Sequence, residues 1–436
     1  MDFTQLQAFR AALYLTFRRR ATVLMDIIDA LLTSAQARRA IEITLAPAFQ
    51  QRWPSFYQGL QEGHIYRAGL RRVYCQFIPH TPGHRLVLAL DTVSVLRLLS
   101  PTARDRMAVH AANLPDTAPP VGLGWQFSAV VVVPEVPSSW TYYLECTRIS
   151  SGTTPARLGT AQLASLLPLL PARPVVLGDR YYGSAAFVLG TKDLKCDKLL
   201  RIQTHRVFYR QPPPPDPHQR GPHPKKGARF QPKDPATHGP PSATWTGTDA
   251  RGRPVTVTAW TGLAFAEDLT HSCTILRCAR QDGPDSKRDP RVIWLLWDSP
   301  DAAPLSEIPD LYTRRFSEDH GFRFDKQALL WEEPRLRTPA QFQRWTDLMV
   351  AAHNTLVVAR PVVGGVRLPW ERDTDRPLTP QQVRRAFPGI MATLGTPAPP
   401  PQPRGKSPGR APGTVVRPAK RYAVVRKSAP APPNVG

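Results

Sequence analysis

Apolar positions near the start of the chain recur every three to four residues. Leu6, Phe9, Leu13 and Phe17 fall on one side of a helix, and a second run from Val23-Leu24-Met25 to Leu31-Leu32 follows the basic cluster Arg18-Arg19-Arg20. Ser34 is placed to cap a third helix carrying Ile41, Ile43 and Leu45 and stopped near Pro47. From residue 86 the period shortens. Leu86–Leu90, Phe127–Val133 and Trp140–Leu144 are strand-like runs separated by turn residues. A helical stretch with Leu163, Leu166 and Leu167 follows, then the strand Val175–Leu177, a short helix near Ser184–Leu189 and a strand Leu199–Ile202. The order β-β-β-α-β-α-β predicts an α/β domain, a mixed sheet with helices on its faces.

Composition shifts divide the rest. Residues 205–255 hold the run Pro212–Pro215 and many cations, among them Lys225 and Lys226; a loop that long is functional or disordered. Strands return at Val255–Trp260, Thr274–Arg277 and Val292–Trp297, and helices after Pro309. Beyond 395 the chain is rich in Pro, Gly and Ala with Arg404, Lys406, Arg410 and further cations but no acid. That composition predicts a disordered tail able to lie along phosphates. The expected organisation is a helical N-terminal domain over 1–80, a candidate for DNA binding or a plain structural cap, and the first part of the α/β domain over 81–202. A β-rich insertion with a proline-rich basic arm over 203–303, a helical second part over 304–394 and the tail over 395–436 complete it.

Charge sharpens the picture. With 57 Lys and Arg against 34 Asp and Glu, the net charge is +23, which calls for a polyanionic partner. The five cysteines include no C-x-x-C pair, which suits a reducing compartment and disfavours a zinc module. No apolar run approaches the length of a membrane span. A cytoplasmic, nucleoid-associated protein is expected.

Three places could carry chemistry. Asp91 follows the apolar run Leu86–Leu90, and Asp179 follows Val175–Leu177 after a single glycine. One acid at a strand end can merely cap a turn. Two on neighbouring strands would repel unless a cation lay between them. The third place is a helix starting near Pro309, where Tyr312, Arg315, Asp319, Arg323 and Lys326 are spaced to form one stripe. Alone, that stripe reads equally as a solvated face with ion pairs; with the two aspartates it could complete a metal site flanked by phosphate-gripping cations.

At these residues the chain resembles the bacterial insertion-sequence DDE transposases, of the retroviral integrase and RNase H-like superfamily. Tyr312-x2-Arg315-x3-Asp319-x6-Lys326 is similar to their Y-x2-R-x3-E-x6-K signature, with Asp319 where the family has Glu. Leu90-Asp91-Thr92 and Leu177-Gly178-Asp179-Arg180-Tyr181-Tyr182-Gly183 look like the two aspartate regions. The resemblance implies an RNase H-like catalytic domain in which Asp91, Asp179 and Asp319 bind two Mg2+ ions, with Mn2+ as a substitute. It also implies double-stranded DNA as substrate, both transposon ends and target, a homodimer on the paired ends, and Tyr312, Arg315 and Lys326 near the scissile phosphate with Arg180 a lesser candidate; Arg323, on the same stripe, is read with them as a phosphate-gripping cation. Two other readings stay open at this point: a catalytically decayed DNA-binding descendant, and a Mg2+-dependent nuclease without strand transfer.

Overall fold

The computed structural model describes the chain except residues 1, 82, 112–119, 215–222, 284, 286–289, 365–367, 372–376, 402–408, 410, 416 and 427–436. The N-terminal part comprises α1 (Phe3–Tyr14), β1 (Phe17–Arg19), α2 (Ala21–Thr33), α3 (Pro54–Glu62), β2 (His64–Ile65) and α4 (Arg67–Gln76). The α/β part follows as β3 (Val87–Leu96), β4 (Met107–His110), β5 (Val121–Val132), β6 (Tyr142–Ile149), α5 (Pro155–Leu166), β7 (Val175–Gly178), α6 (Ala185–Gly190) and β8 (Asp197–Arg201). Next come the short β9 (Phe208–Tyr209) and β10 (Arg229–Phe230), then β11 (Ala243–Thr248), β12 (Pro254–Phe265), β13 (Asp268–Arg280) and β14 (Val292–Asp298). Four helices complete the described chain: α7 (Ile308–Thr313), α8 (Phe316–Gln327), α9 (Pro339–Ala359) and α10 (Pro380–Leu394).

The central strands stand in the spatial order β6-β5-β3-β7-β8. β3, β5 and β6 form an antiparallel meander, while β7 and β8 run parallel to β3, reached through α5 and α6. All four residues of β7 are buried, as a strand covered on both faces requires. This is the mixed sheet expected of an RNase H-like fold. The insertion does not stand apart from it. β14 pairs antiparallel with β8, and β13, β12, β11, β9 and β10 carry the same sheet onward to twelve strands.

The helical layer is organised by α9. It is buried along almost its whole length from Trp345 to Ala359, and α1, α2, α3, α10 and β6 pack around it. The N-terminal helices thus share one core with the sheet, and Arg384 of α10 ties them down by donating to the backbone oxygens of Leu31 and Ser34, both at 2.8 Å.

Three expectations are corrected. Ser34 ends α2 instead of starting a helix, and residues 40–45 form a 3-10 turn. There Glu42 accepts from the backbone nitrogens of Arg38 and Arg39, which moves the start of the turn past Ser34. β3 does not stop at Leu90. Thr92 to Leu96 keep strand alternation, so Asp91 sits mid-strand. The tail is not solvated throughout: Tyr422 donates from its backbone to the oxygen of Pro101, Val425 donates to that of Arg106, and Val425 bridges Met107 of β4. The Arg104 guanidinium lies 5.0 Å from the Tyr422 ring centroid, so a cation over an aromatic face helps hold this segment. Arg404, Lys406 and Arg410 lie outside the described residues.

The seam between core and insertion carries a buried ion pair. Lys198 of β8 and Asp298 of β14 are cross-strand partners, 2.7 Å apart, with His271 3.0 Å from the other carboxylate oxygen. Asp298→Ala strands a buried ammonium and is expected to destabilise the protein by about 3–5 kcal/mol, measured by urea unfolding. Lys198→Met combined with Asp298→Leu is expected to cost much less than Asp298→Ala alone.

Candidate active site

The site begins with strand register. β3 and β7 pair in parallel with Leu90 opposite Gly178, so the next residues, Asp91 and Asp179, stand side by side. Asp179 opens a tight turn in which its Oδ1 accepts from the Tyr181 nitrogen at 2.8 Å, which fixes the carboxylate against its own backbone. Gly183 allows that turn to press on β8. A Cβ there would meet the Arg201 carbonyl oxygen at 2.1 Å. Asp91 accepts from the Thr92 nitrogen at 2.6 Å.

Across from these acids lies the joint between α7 and α8. The signature residues were expected on one continuous helix, but Arg314 and Arg315 separate two, and the joint is wound more tightly than an α-helix. Arg315 donates to the Tyr312 oxygen, Ser317 to that of Arg314, and Glu318 to that of Arg315, each an i to i+3 bond. In such a turn side chains three apart eclipse one another, so Glu318 falls directly over Arg315. Asp319 is turned past it. Glu318 is accordingly 1% exposed, and Asp319 is exposed at the rim.

Electrostatics tie these groups together. The Arg315 guanidinium meets Asp91 Oδ2 at 2.5 Å, and both side chains are largely buried. Burial pushes the Asp91 carboxyl up to about 7; Arg315 opposes the rise, and Asp179 and Asp319 add to it. Asp179 is also raised, chiefly by burial and against its backbone hydrogen bond from Tyr181. Glu318 is raised well above the ordinary carboxylate range by burial and by Asp91, with Arg315 opposing; neither of its oxygens has a hydrogen-bond partner. Burial alone would lower Arg315, yet Tyr312, Asp91, Asp319 and Asp179 raise it above its ordinary value.

The structure thus brings Asp91, Asp179 and Arg315 together as expected and adds Glu318. The other expected residues are placed differently from one another. Tyr312 is buried, with the Arg315 guanidinium 5.9 Å from its ring centroid. Lys326 is engaged by the Ser94 oxygen at 2.7 Å and Glu332 at 2.8 Å, which ties α8 to β3. Arg323 is exposed on α8 and Arg180 beside Asp179. Lys225 and Lys226 are exposed between β9 and β10, the latter over the Tyr209 ring. Among the described residues no three acids, histidines or cysteines are gathered closely enough to hold a metal ion as they stand.

The acid-bearing helix is fixed from behind. Asp325, fully buried on α8, receives the Tyr143 hydroxyl at 2.5 Å and faces His353 Nδ1 at 2.6 Å, while His353 Nε2 donates to the Thr141 oxygen at 2.9 Å. A carbonyl only accepts, so His353 Nε2 is the donor to Thr141. Asn354 bonds both the nitrogen and the oxygen of Tyr143, treating β6 as a neighbouring strand would. Gly321 completes the fit. A Cβ at that position would meet Thr141 Oγ1 at 2.5 Å, so the glycine that weakens α8 intrinsically lets it lie against the sheet.

A family described as DDE superfamily endonuclease matches residues 12–262, more than half of the chain and including both Asp91 and Asp179. The chain belongs to the DDE superfamily endonuclease family. No curated protein matches it in sequence. In this endonuclease α7 and α8 lie beyond the matched span, so the acid facing the two aspartates is identified by geometry. Sequence spacing selects Asp319 on about 100° per residue throughout; the overwound joint buries the adjacent Glu318 and leaves Asp319 exposed, and both bear electrostatically on Asp91 or Arg315.

The two acids are expected to differ as stability elements in metal-free buffer. A carboxyl whose folded-state pKa is raised binds more protons folded than unfolded, so its contribution to stability is lost as pH rises above the ordinary value of 4.5. Glu318→Gln is therefore expected to raise the thermal midpoint at pH 8 and to change it little near pH 4.5. Exposed Asp319→Asn should stay within about 0.5 kcal/mol of the parent throughout. Melting curves across that pH range in chelator provide the check.

Proposed function

We propose that this endonuclease is the transposase of a mobile element, binding the element's ends, cutting phosphodiester bonds there and joining the freed 3′ ends to target DNA. The observation that carries the reading is the placement of Asp91 and Asp179 side by side in register, with Glu318 buried opposite them and without a partner. In this reading Glu318, one residue before the position that signature spacing selects, is the third acid, and Asp319 stands at the mouth.

The donor set suits a hard divalent cation. All the groups are carboxylates, two oxygens of Glu318 have no partner, and mutual repulsion already raises the acids, which is the environment a positive ion relieves. Asp91, Asp179 and Glu318 would hold Mg2+, or Mn2+ in its place. Bound there, such ions supply activation of an attacking oxygen and stabilisation of a leaving one. The chain's own groups do the rest. Arg180, exposed beside Asp179, and Arg323, exposed on α8, grip phosphates of the bound strand. Lys225, Lys226 and the cations of the tail extend the contact along the DNA and make it salt-sensitive. Tyr312 and Lys326 act behind the site: one packs beside Arg315, the other holds α8 to β3. A second copy on the paired ends completes the assembly.

Pre-cut element ends incubated with a target plasmid and Mg2+ test the reading. Joined product supports it; cutting without joining indicates a nuclease, and binding alone a decayed DNA-binding protein. Asp91→Ala, Asp179→Ala and Glu318→Gln are each expected to lower joining by at least about 100-fold, within the range lost when a group stabilising transition-state charge is removed, while leaving DNA affinity within about threefold. Asp319→Asn is expected to cost less than tenfold. Parental joining by Asp91→Ala overturns the site.

A further inference from the structure

The ion pair between Arg315 and Asp91 is out of keeping with a site meant only to receive cations. Asp91, Asp179, Glu318 and Asp319 crowd one place, and the cation among them is supplied by the chain itself. Arg180 also faces Asp179, but from the exposed side. Arg315 takes Asp91 Oδ2 at 2.5 Å, so an oxygen that would ligate a metal is already engaged. Beyond Asp91, its partners are Tyr312 and the more distant charges of Asp179 and Asp319. The Nε hydrogen is buried without a partner, and beyond Asp91 the guanidinium rests on the rings of Phe316 and Tyr312, 5.2 and 5.9 Å from their centroids. Phe316 is 38% exposed, so the side chain on which Arg315 leans lies at the surface.

We infer that Arg315 is an internal counter-ion that keeps Asp91 occupied until a DNA phosphate draws the guanidinium away, so that divalent-cation uptake is coupled to DNA binding. The inference rests on the proposed function. A phosphate offers a planar guanidinium two acceptors in place of one and satisfies the idle donor. Transfer of Arg315 to it returns Asp91 to the acid cluster, and the cluster's uncompensated negative charge then favours a divalent ion. Without DNA the guanidinium and the ion compete for the same carboxylate. By linkage, whatever DNA does for the ion the ion does for DNA.

Mn2+ titration of the full-length protein at pH 8 without DNA, followed by electron paramagnetic resonance, tests this. Arg315→Gln is expected to bind Mn2+ about tenfold more tightly than the parent, the effect of removing one nearby positive charge, and Arg315→Lys to fall between them. In parallel, the slope of log DNA affinity against log salt is expected to fall by about 0.9 in Arg315→Gln, one phosphate contact. Thermal melts confirm that both variants are folded, and the lysine variant keeps the test alive if the glutamine variant is not. Unchanged or weaker Mn2+ binding in the folded variants, or an unchanged salt slope, overturns the inference. Asp91→Ala separates the two readings: if it binds Mn2+ as the parent does, the metal-site reading fails; if it loses Mn2+ while Arg315 variants match the parent, only the coupling fails.

Discussion

Carboxylates held together out of water are the constraint around which this protein is arranged. Asp91 and Asp179 are brought side by side by parallel strand register with Glu318 of α8 facing them; burial raises all three, and repulsion by neighbouring acids adds to the rise of Asp91 and Glu318. Such a cluster opposes folding, because each charge pays desolvation and repels its neighbours. It persists because the surrounding structure over-determines it. The strand pairing cannot slip without moving every apolar residue of the most buried strand, β7, and the turn after Asp179 is pinned by the close approach of Gly183 to β8.

The same logic explains how much structure stands behind α8. A helix that presents buried acids needs purchase elsewhere, and it has it in Asp325, His353 and Tyr143, in Lys326 on β3, and in the glycine contact with Thr141. These fixings converge on β6 and α9, and α9 is in turn enclosed by α1, α2, α3 and α10. The N-terminal helices therefore reach the site mechanically. They hold the helix that holds His353, which anchors the helix that carries Glu318.

The order of strands and helices was legible because burial writes a period into sequence. The α/β core, both aspartates and three of the four longer insertion strands, β12, β13 and β14, fall where apolar alternation or apolar runs are strongest, while β11, exposed on most of its length, left no apolar trace. What was illegible has a common cause, which is backbone hydrogen bonding between distant or irregular segments. The docking of Tyr422 and Val425 beside β4 is made by main-chain groups and leaves no pattern in an otherwise proline-rich tail. The continuity of the insertion with the core depends on β14 choosing β8, a pairing that neither strand announces. The overwound joint before Glu318 is likewise a backbone matter, and it buries Glu318 while leaving its neighbour Asp319 exposed.

Charge is distributed so that attraction and chemistry are separated. The chain carries +23 overall, yet carboxylates are concentrated where β3, β7 and α8 meet. Those two facts conflict only if the site has to attract DNA by itself. In the proposed function, long-range attraction to a duplex falls to exposed cations such as Arg180, Arg323, Lys225 and Lys226, an attraction that weakens with salt. At contact distance the acids would instead repel the phosphate they are placed to act on, with a force that the buried, low-dielectric setting strengthens. Some positive charge must therefore stand between acids and phosphate at the moment of contact. Arg315 is the cation already in that position, held by Asp91 on one side and two aromatic rings on the other. A lysine could also neutralise the acids, but a planar guanidinium matches the two acceptors of a phosphate in a fixed fork that an ammonium lacks, which favours an arginine at this joint.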